Sequence, residues 1–177
     1  LLIGMVLLSS ILAYHAHAQG AGRLGINTTF HTLREEIKYI EESGVSTIRV
    51  PLQWQLIKIR PGEYDWSTVD RLLKAVQTKQ IEVLFTIRTN FPEGPQKPKR
   101  KRGAIQLTPE LLDKKEWVGF VGTLAHRYRG QGVKYEIENE VNEAAFWKGT
   151  LEQYLELLRA GYDVIKKADP KAKVLPS

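Results

Sequence analysis

Short apolar runs alternate with amphipathic stretches along this chain, and that order restricts the fold more than any other feature. Residues 23–27 (R-L-G-I-N), 46–52 (S-T-I-R-V-P-L), 81–87 (I-E-V-L-F-T-I) and 133–139 (V-K-Y-E-I-E-N) read as strands, with residues 173–176 opening a fifth. The third is nearly continuous in apolar residues, as a strand covered on both faces should be. Pro51 is expected to stop the second strand.

Helical spacing fills the intervals. Thr32 and Glu35 form a capping-box pattern before Leu33, Ile37 and Ile40, and Gly44 closes that helix. A Pro61-Gly62 turn precedes a helix lined by Val69, Leu72, Leu73 and Val76 that reaches about Lys79. Thr108-Pro109-Glu110 is a helix start, with Trp117, Phe120, Val121, Leu124 and Tyr128 as the buried stripe. The last helix begins near Thr150, is expected to bury Leu151, Tyr154, Leu155, Leu158, Tyr162 and Ile165, and stops at Asp169-Pro170. Residues 88–107, rich in Pro, Gly and Lys, exceed ordinary loop length.

Four strand-helix units in alternation imply a parallel sheet with helices outside it. No glycine-rich fingerprint follows the first strand, where Thr28-Thr29-Phe30 stand instead, so a nucleotide-binding doubly wound sheet is disfavoured. A (β/α)₈ TIM barrel of the α/β class fits better, but needs about 250 residues. The expectation is therefore the first four β/α units of a barrel plus the start of strand five.

Residues 1–18 are set apart from that domain. The apolar run at residues 1–12 is too short to span a bilayer, and Ala16-His17-Ala18 offers small residues where a signal peptidase reads them. This predicts a signal peptide over 1–18, the N-terminal portion of a single (β/α)₈ domain over 19–177, a secreted or periplasmic protein and no stable membrane association after cleavage. An N-terminal membrane anchor is the other reading of the run. The chain contains no cysteine, so an exported product would rely on its core rather than on disulfides.

The formal charge of +6 could suggest nucleic acid, but Lys97, Lys99, Arg100, Lys101 and Arg102 supply five of those charges, leaving +1 elsewhere. That run lies beside Pro95 and Pro98 without interleaved aromatics, which favours a solvated loop over a nucleic-acid site.

The chemistry concentrates at residues 133–143 (V-K-Y-E-I-E-N-E-V-N-E), where a strand runs into Glu136, Glu138, Asn139, Glu140, Asn142 and Glu143. A carboxylate leaving water costs several kcal/mol, on the order of 3–5, unless it is paired, so such a cluster reads as functional equipment. Glu140 is the candidate general acid/base. By the period of two, Glu136, Glu138 and Glu140 are expected on one face of the strand.

The stretch Y-E-I-E-N-E-V-N at 135–142, with I-R-V-P at 48–51, P-G-E-Y-D-W at 61–66 and R-Y-R-G at 127–130, resembles the clan A glycoside hydrolases, which are retaining (β/α)₈ enzymes. The resemblance implies hydrolysis of O-glycosidic bonds in a β-linked saccharide without a cofactor or metal. It implies Glu140 as acid/base, Asn139 contacting the sugar hydroxyl next to the anomeric carbon, and Arg49 as an active-site arginine. In that clan the nucleophile ends the seventh strand, and no residue here matches it. Glu138 and Val141 stand where the clan often has Trp and Pro; the extra carboxylate calls for a nearby cation, and Arg49 is the expected one.

Trp54 and Trp147, in loops after strands two and four, are candidate sugar platforms, whereas Trp66 reads as packing. His31 could reach the same rim, and His126 reads as structural. Two other readings stay open: a non-catalytic carbohydrate-binding or scaffold protein derived from such a barrel, and a basic nucleic-acid-binding protein built around 97–102.

Overall fold

A computed structural model of the chain describes residues 24–30, 33–89, 113–144 and 146–177, without the side chains of 33–36 and 41. The expected signal peptide, His31, the Thr32–Glu35 capping box, the helix start at Thr108 and the basic run 97–102 lie outside the described residues.

The elements are β1 (Gly25–Asn27), α1 (Leu33–Glu42), β2 (Thr47–Gln53), α2 (Trp54–Ile57), β3 (Lys58–Arg60), β4 (Glu63–Tyr64), α3 (Ser67–Gln77), β5 (Glu82–Arg88), α4 (Lys114–Arg127), β6 (Lys134–Ile137), α5 (Leu151–Ala168) and β7 (Lys173–Pro176). Five of the strands form one parallel sheet in the order β1-β2-β5-β6-β7. The order follows the chain without reversal, so among the described residues there is no switch point of the doubly wound kind. The fold is α/β with a parallel sheet, as the alternation requires.

Strand alternation divides the sheet into two unlike faces. Ile48, Val50, Leu52, Val83, Phe85, Ile87, Tyr135 and Ile137 are matched by register on one face and are at most 2% exposed. The helices cover this face: a methyl built on Gly161 of α5 would lie 3.0 Å from both Ile137 of β6 and Trp117 of α4. The opposite face is polar. Near the strand starts, Lys134 Nζ donates to Glu82 at 2.7 Å; further along lie Arg49, Thr86 and Glu136.

Pro51 does not end β2, which runs on to Gln53. The last link from β1 is Thr28 N to Arg49 O, so two residues later the ring nitrogen faces a side where β1 has already ended and no donor is required. The Pro61-Gly62 turn closes the β3–β4 hairpin, with Gly62 at φ +77° as the second residue of such a turn demands. The hairpin delivers Tyr64 into an aromatic cluster with Trp66 and Phe120, at centroid distances of 5.4 and 5.1 Å.

Helix α4 starts within the described residues at Lys114, where Asp113 accepts the Glu116 N–H. Helix α5 starts as expected, Thr150 and Gln153 forming a reciprocal capping box. Its buried line is Tyr154, Leu157, Gly161 and Ile165. Leu151, Leu155 and Tyr162, expected in the core, are 62%, 47% and 48% exposed. Two apolar lines run along this helix, and the sheet takes only one.

Candidate functional site

The middle of β2 and the C-terminal parts of β5 and β6 bring the polar residues of the sequence cluster together. Arg49, on the open face of β2, places Nη2 2.5 Å from Glu136 Oε2 of β6, and its Nε donates to the same oxygen at 2.7 Å. Thr86 of β5 donates to that oxygen at 2.5 Å. Arg49 Nη2 also donates to Asn139 Oδ1 at 2.8 Å. One guanidinium thus fixes both the last outward carboxylate of β6 and the amide beyond it, a fork geometry that lysine could not reproduce.

Regular alternation stops at Ile137. Glu138 has φ +69° and Glu140 φ +44°, both left-handed and both costly for residues with a Cβ. The expected shared face of Glu136, Glu138 and Glu140 is therefore not formed. Glu136 joins Arg49. Glu138 is fully buried, its N–H donating to Ile87 O and its Oε1 accepting from Thr89 N at 2.7 Å. Glu140 is exposed.

The cation nearest in role to Glu138 is Arg88, the last residue of β5, and not Arg49 as the sequence suggested. Burial pushes the Glu138 carboxyl up to about 7, against the Thr89 N–H and Arg88, which pull it down. The Arg88 guanidinium is itself lowered, first by burial, with Glu138 and Glu140 opposing and Arg49 adding to the effect. Arg88 is 7% exposed, and its guanidinium carbon lies 4.9 Å from the centroid of Phe146.

The segment after Glu140 is built from two tight turns: Glu143 N donates to Glu140 O, and both Phe146 N and Trp147 N donate to Glu143 O. Asn139 is 8% exposed and turned toward Arg49.

The two candidate platforms are buried. Trp54 is 3% exposed, its ring 5.8 Å from that of Phe120 with Lys58 Nζ 5.3 Å from its centroid. Trp147 is 6% exposed, packs edge-on against Tyr154 at 6.1 Å and donates its indole N–H to Thr150 O. Trp66 stacks on Phe120 at 5.8 Å, and His126 is exposed in the last turn of α4.

Arg88, Thr86, Thr89 and Phe146 were not singled out from the sequence. A signal was present for Arg88, the charge that ends a mostly apolar strand. Among the described residues no group of three or more His, Cys, Asp or Glu could hold a metal ion, and no helix is long and apolar enough to cross a membrane.

No protein-family description matches the chain, and no curated protein sequence matches it either. Its fold does match solved glycoside hydrolases. A β-galactosidase from the psychrophilic Marinomonas ef1 superposes with a TM-score of 0.65 at 15% identity, over 88% of this chain and 37% of its own. A family 39 glycoside hydrolase from Bacteroides cellulosilyticus WH2 gives 0.62 at 17% identity, over 85% and 31%. An exo-β-1,4-mannosidase from Opitutaceae bacterium strain TAV5 gives 0.62 at 18%, over 90% and 32%. The chain thus spans about a third of the length of these enzymes. The likeness to clan A glycoside hydrolases first read from the stretch around Asn139 and Glu140 extends to the fold of nearly the whole chain.

Proposed function

We propose that this chain forms the acid/base side of a retaining glycoside hydrolase acting on a β-linked saccharide. The observation that carries the reading is Asn139, held by Arg49 at 2.8 Å, immediately before an exposed Glu140 at the C-terminal end of a parallel strand. In (β/α)₈ enzymes that end of the sheet is where chemistry is placed.

In this reading Glu140 gives its proton to the glycosidic oxygen as the bond to the anomeric carbon breaks. It then takes a proton from the water that releases the sugar. Asn139, with its carbonyl oxygen committed to Arg49, presents its amide N–H₂ to the neighbouring sugar hydroxyl. A second carboxylate, about 5–5.5 Å away across the sugar, attacks the anomeric carbon. No described carboxylate is assigned that role, and a longer polypeptide that closes the barrel would supply it. Trp54 and Trp147 are given packing roles. No cofactor or metal enters the mechanism, and export of the enzyme accompanies the proposal.

The test is Glu140→Gln in a natural polypeptide that contains residues 24–177 and continues beyond them. Loss of the proton donor lowers kcat/KM for aryl β-glycosides with poor leaving groups by about 10²–10⁴-fold while sparing kcat/KM for activated ones. An equal change of kcat/KM on both substrate types would defeat the assignment. Turnover by residues 1–177 alone that Glu140→Gln abolishes would instead defeat the placing of the nucleophile in a longer polypeptide, because that carboxylate would have to lie within them.

A further inference from the structure

Arg88 lies between the two residues that hold the near end of the segment carrying Glu140, since Ile87 O accepts the Glu138 N–H and Thr89 N donates to Glu138 Oε1. The residue is 7% exposed, and its guanidinium carbon lies over the Phe146 ring at 4.9 Å, at the far end of the segment. Its Nε and Nη2 are buried without a hydrogen-bond partner among the described residues, as is Glu138 Oε2. Buried polar atoms of this kind are uncommon and are retained where they serve something other than stability. The residues they flank include two in left-handed backbone, Glu138 and Glu140, which persist only when their surroundings hold them.

We propose that Arg88 is a positioning residue for Glu140: it clamps the turn at 138–147 between β5 and the Phe146 ring and sets the direction in which the Glu140 carboxyl leaves the sheet. Glu138 anchors the near end of the clamp through Ile87 O and Thr89 N, on either side of Arg88 in β5, and the Arg88 guanidinium holds the far end through the Phe146 ring. The proposal rests on the reading of Glu140 as proton donor for its catalytic meaning, but the clamp itself is observable in this chain.

The experiment compares the full chain with its Arg88→Met, Arg88→Lys and Phe146→Leu variants by amide hydrogen exchange and by ¹³C titration of the Glu138 carboxyl, assigned through Glu138→Gln. Arg88→Met speeds exchange at Glu143, Phe146 and Trp147 about tenfold, leaving Trp117 and Asp169 amides unchanged. It also raises the Glu138 midpoint by about one unit, which a space-filling role would not do. Arg88→Lys restores the midpoint because the charge returns. Phe146→Leu speeds the same three amides without moving the midpoint, and serves in place of Arg88→Met should that variant fail to fold. Unchanged exchange at the three amides in the folded variants, or a lysine variant that titrates like methionine, overturns the clamp. These readouts do not involve turnover. Their failure removes the positioning role whatever Glu140 does, whereas an inert Glu140→Gln in the longer polypeptide removes the catalytic reading and leaves the clamp standing.

Discussion

Arg49 and Asn139, ninety positions apart in sequence, are joined by one guanidinium nitrogen to one amide oxygen at 2.8 Å, and the same side chain grips Glu136. The bond decides how the amide of Asn139 is oriented, since its oxygen must face the arginine and its N–H₂ must face away.

Replacing Arg49 by Met leaves Glu136 with Thr86 alone. The two charges are partly buried, at 26% and 14% side-chain exposure, so the loss is expected to be about 2 kcal/mol in urea denaturation. Removing both charges with Arg49→Met and Glu136→Gln costs less than the sum of the single changes, with a coupling of about 1–2 kcal/mol. Additive effects would show that the pair is not an interacting unit.

Glu138 makes stability depend on pH in a defined direction. Its carboxyl is raised from 4.5 when free to about 7 in the folded chain, so folding favours the protonated form. That contribution is fully present below pH 4.5 and disappears as pH rises through 7. Glu138→Gln keeps an oxygen for Thr89 N and cannot ionise. Relative to the parent it is expected to gain up to about 3 kcal/mol at pH 8 and little at pH 4. Denaturant melts at both values check this, and a gain independent of pH would contradict it.

Gly161 sits where α5 comes closest to the sheet. A Cβ there would meet Ile137 Cδ1 and the Trp117 ring at 3.0 Å, both on fully buried residues. Overpacking outweighs the helix propensity gained, so Gly161→Ala is expected to destabilise by about 1–2 kcal/mol and to lower the melting temperature. An alanine variant of equal or greater stability would contradict close packing at this contact.

Thr150→Ala removes the side-chain acceptor of the Gln153 N–H at the start of α5. A loss of about 1 kcal/mol is expected by thermal denaturation, with Ser restoring most of it.

The strands were legible because each is an apolar run bounded by turn residues, and the parallel sheet followed from their alternation with helices. The hairpin at Lys58–Tyr64 was not, since I-K-I-R has no strong strand signature and only the Pro61-Gly62 turn marked it. Grouping Glu136, Glu138 and Glu140 by a period of two failed for a local reason: the backbone turns left-handed at Glu138, a choice made by tertiary contacts with Thr89 and Ile87 that a sequence pattern does not carry. Charge partners were the least visible level. Arg49 stands in the middle of β2 whereas Arg88 ends the neighbouring β5, and that difference in level separates the one that meets Glu136 from the one beside Glu138.

The second apolar line of α5, with Leu151, Leu155 and Tyr162, faces away from the sheet, and Leu24 and Ile26 border the outer margin of β1 at 61% and 36% exposure. Water-facing grease on one flank and, among the described residues, a strand with no outer partner on the other make a surface that sticks to its own kind. In solution the polypeptide will be held back by solubility before it is held back by chemistry.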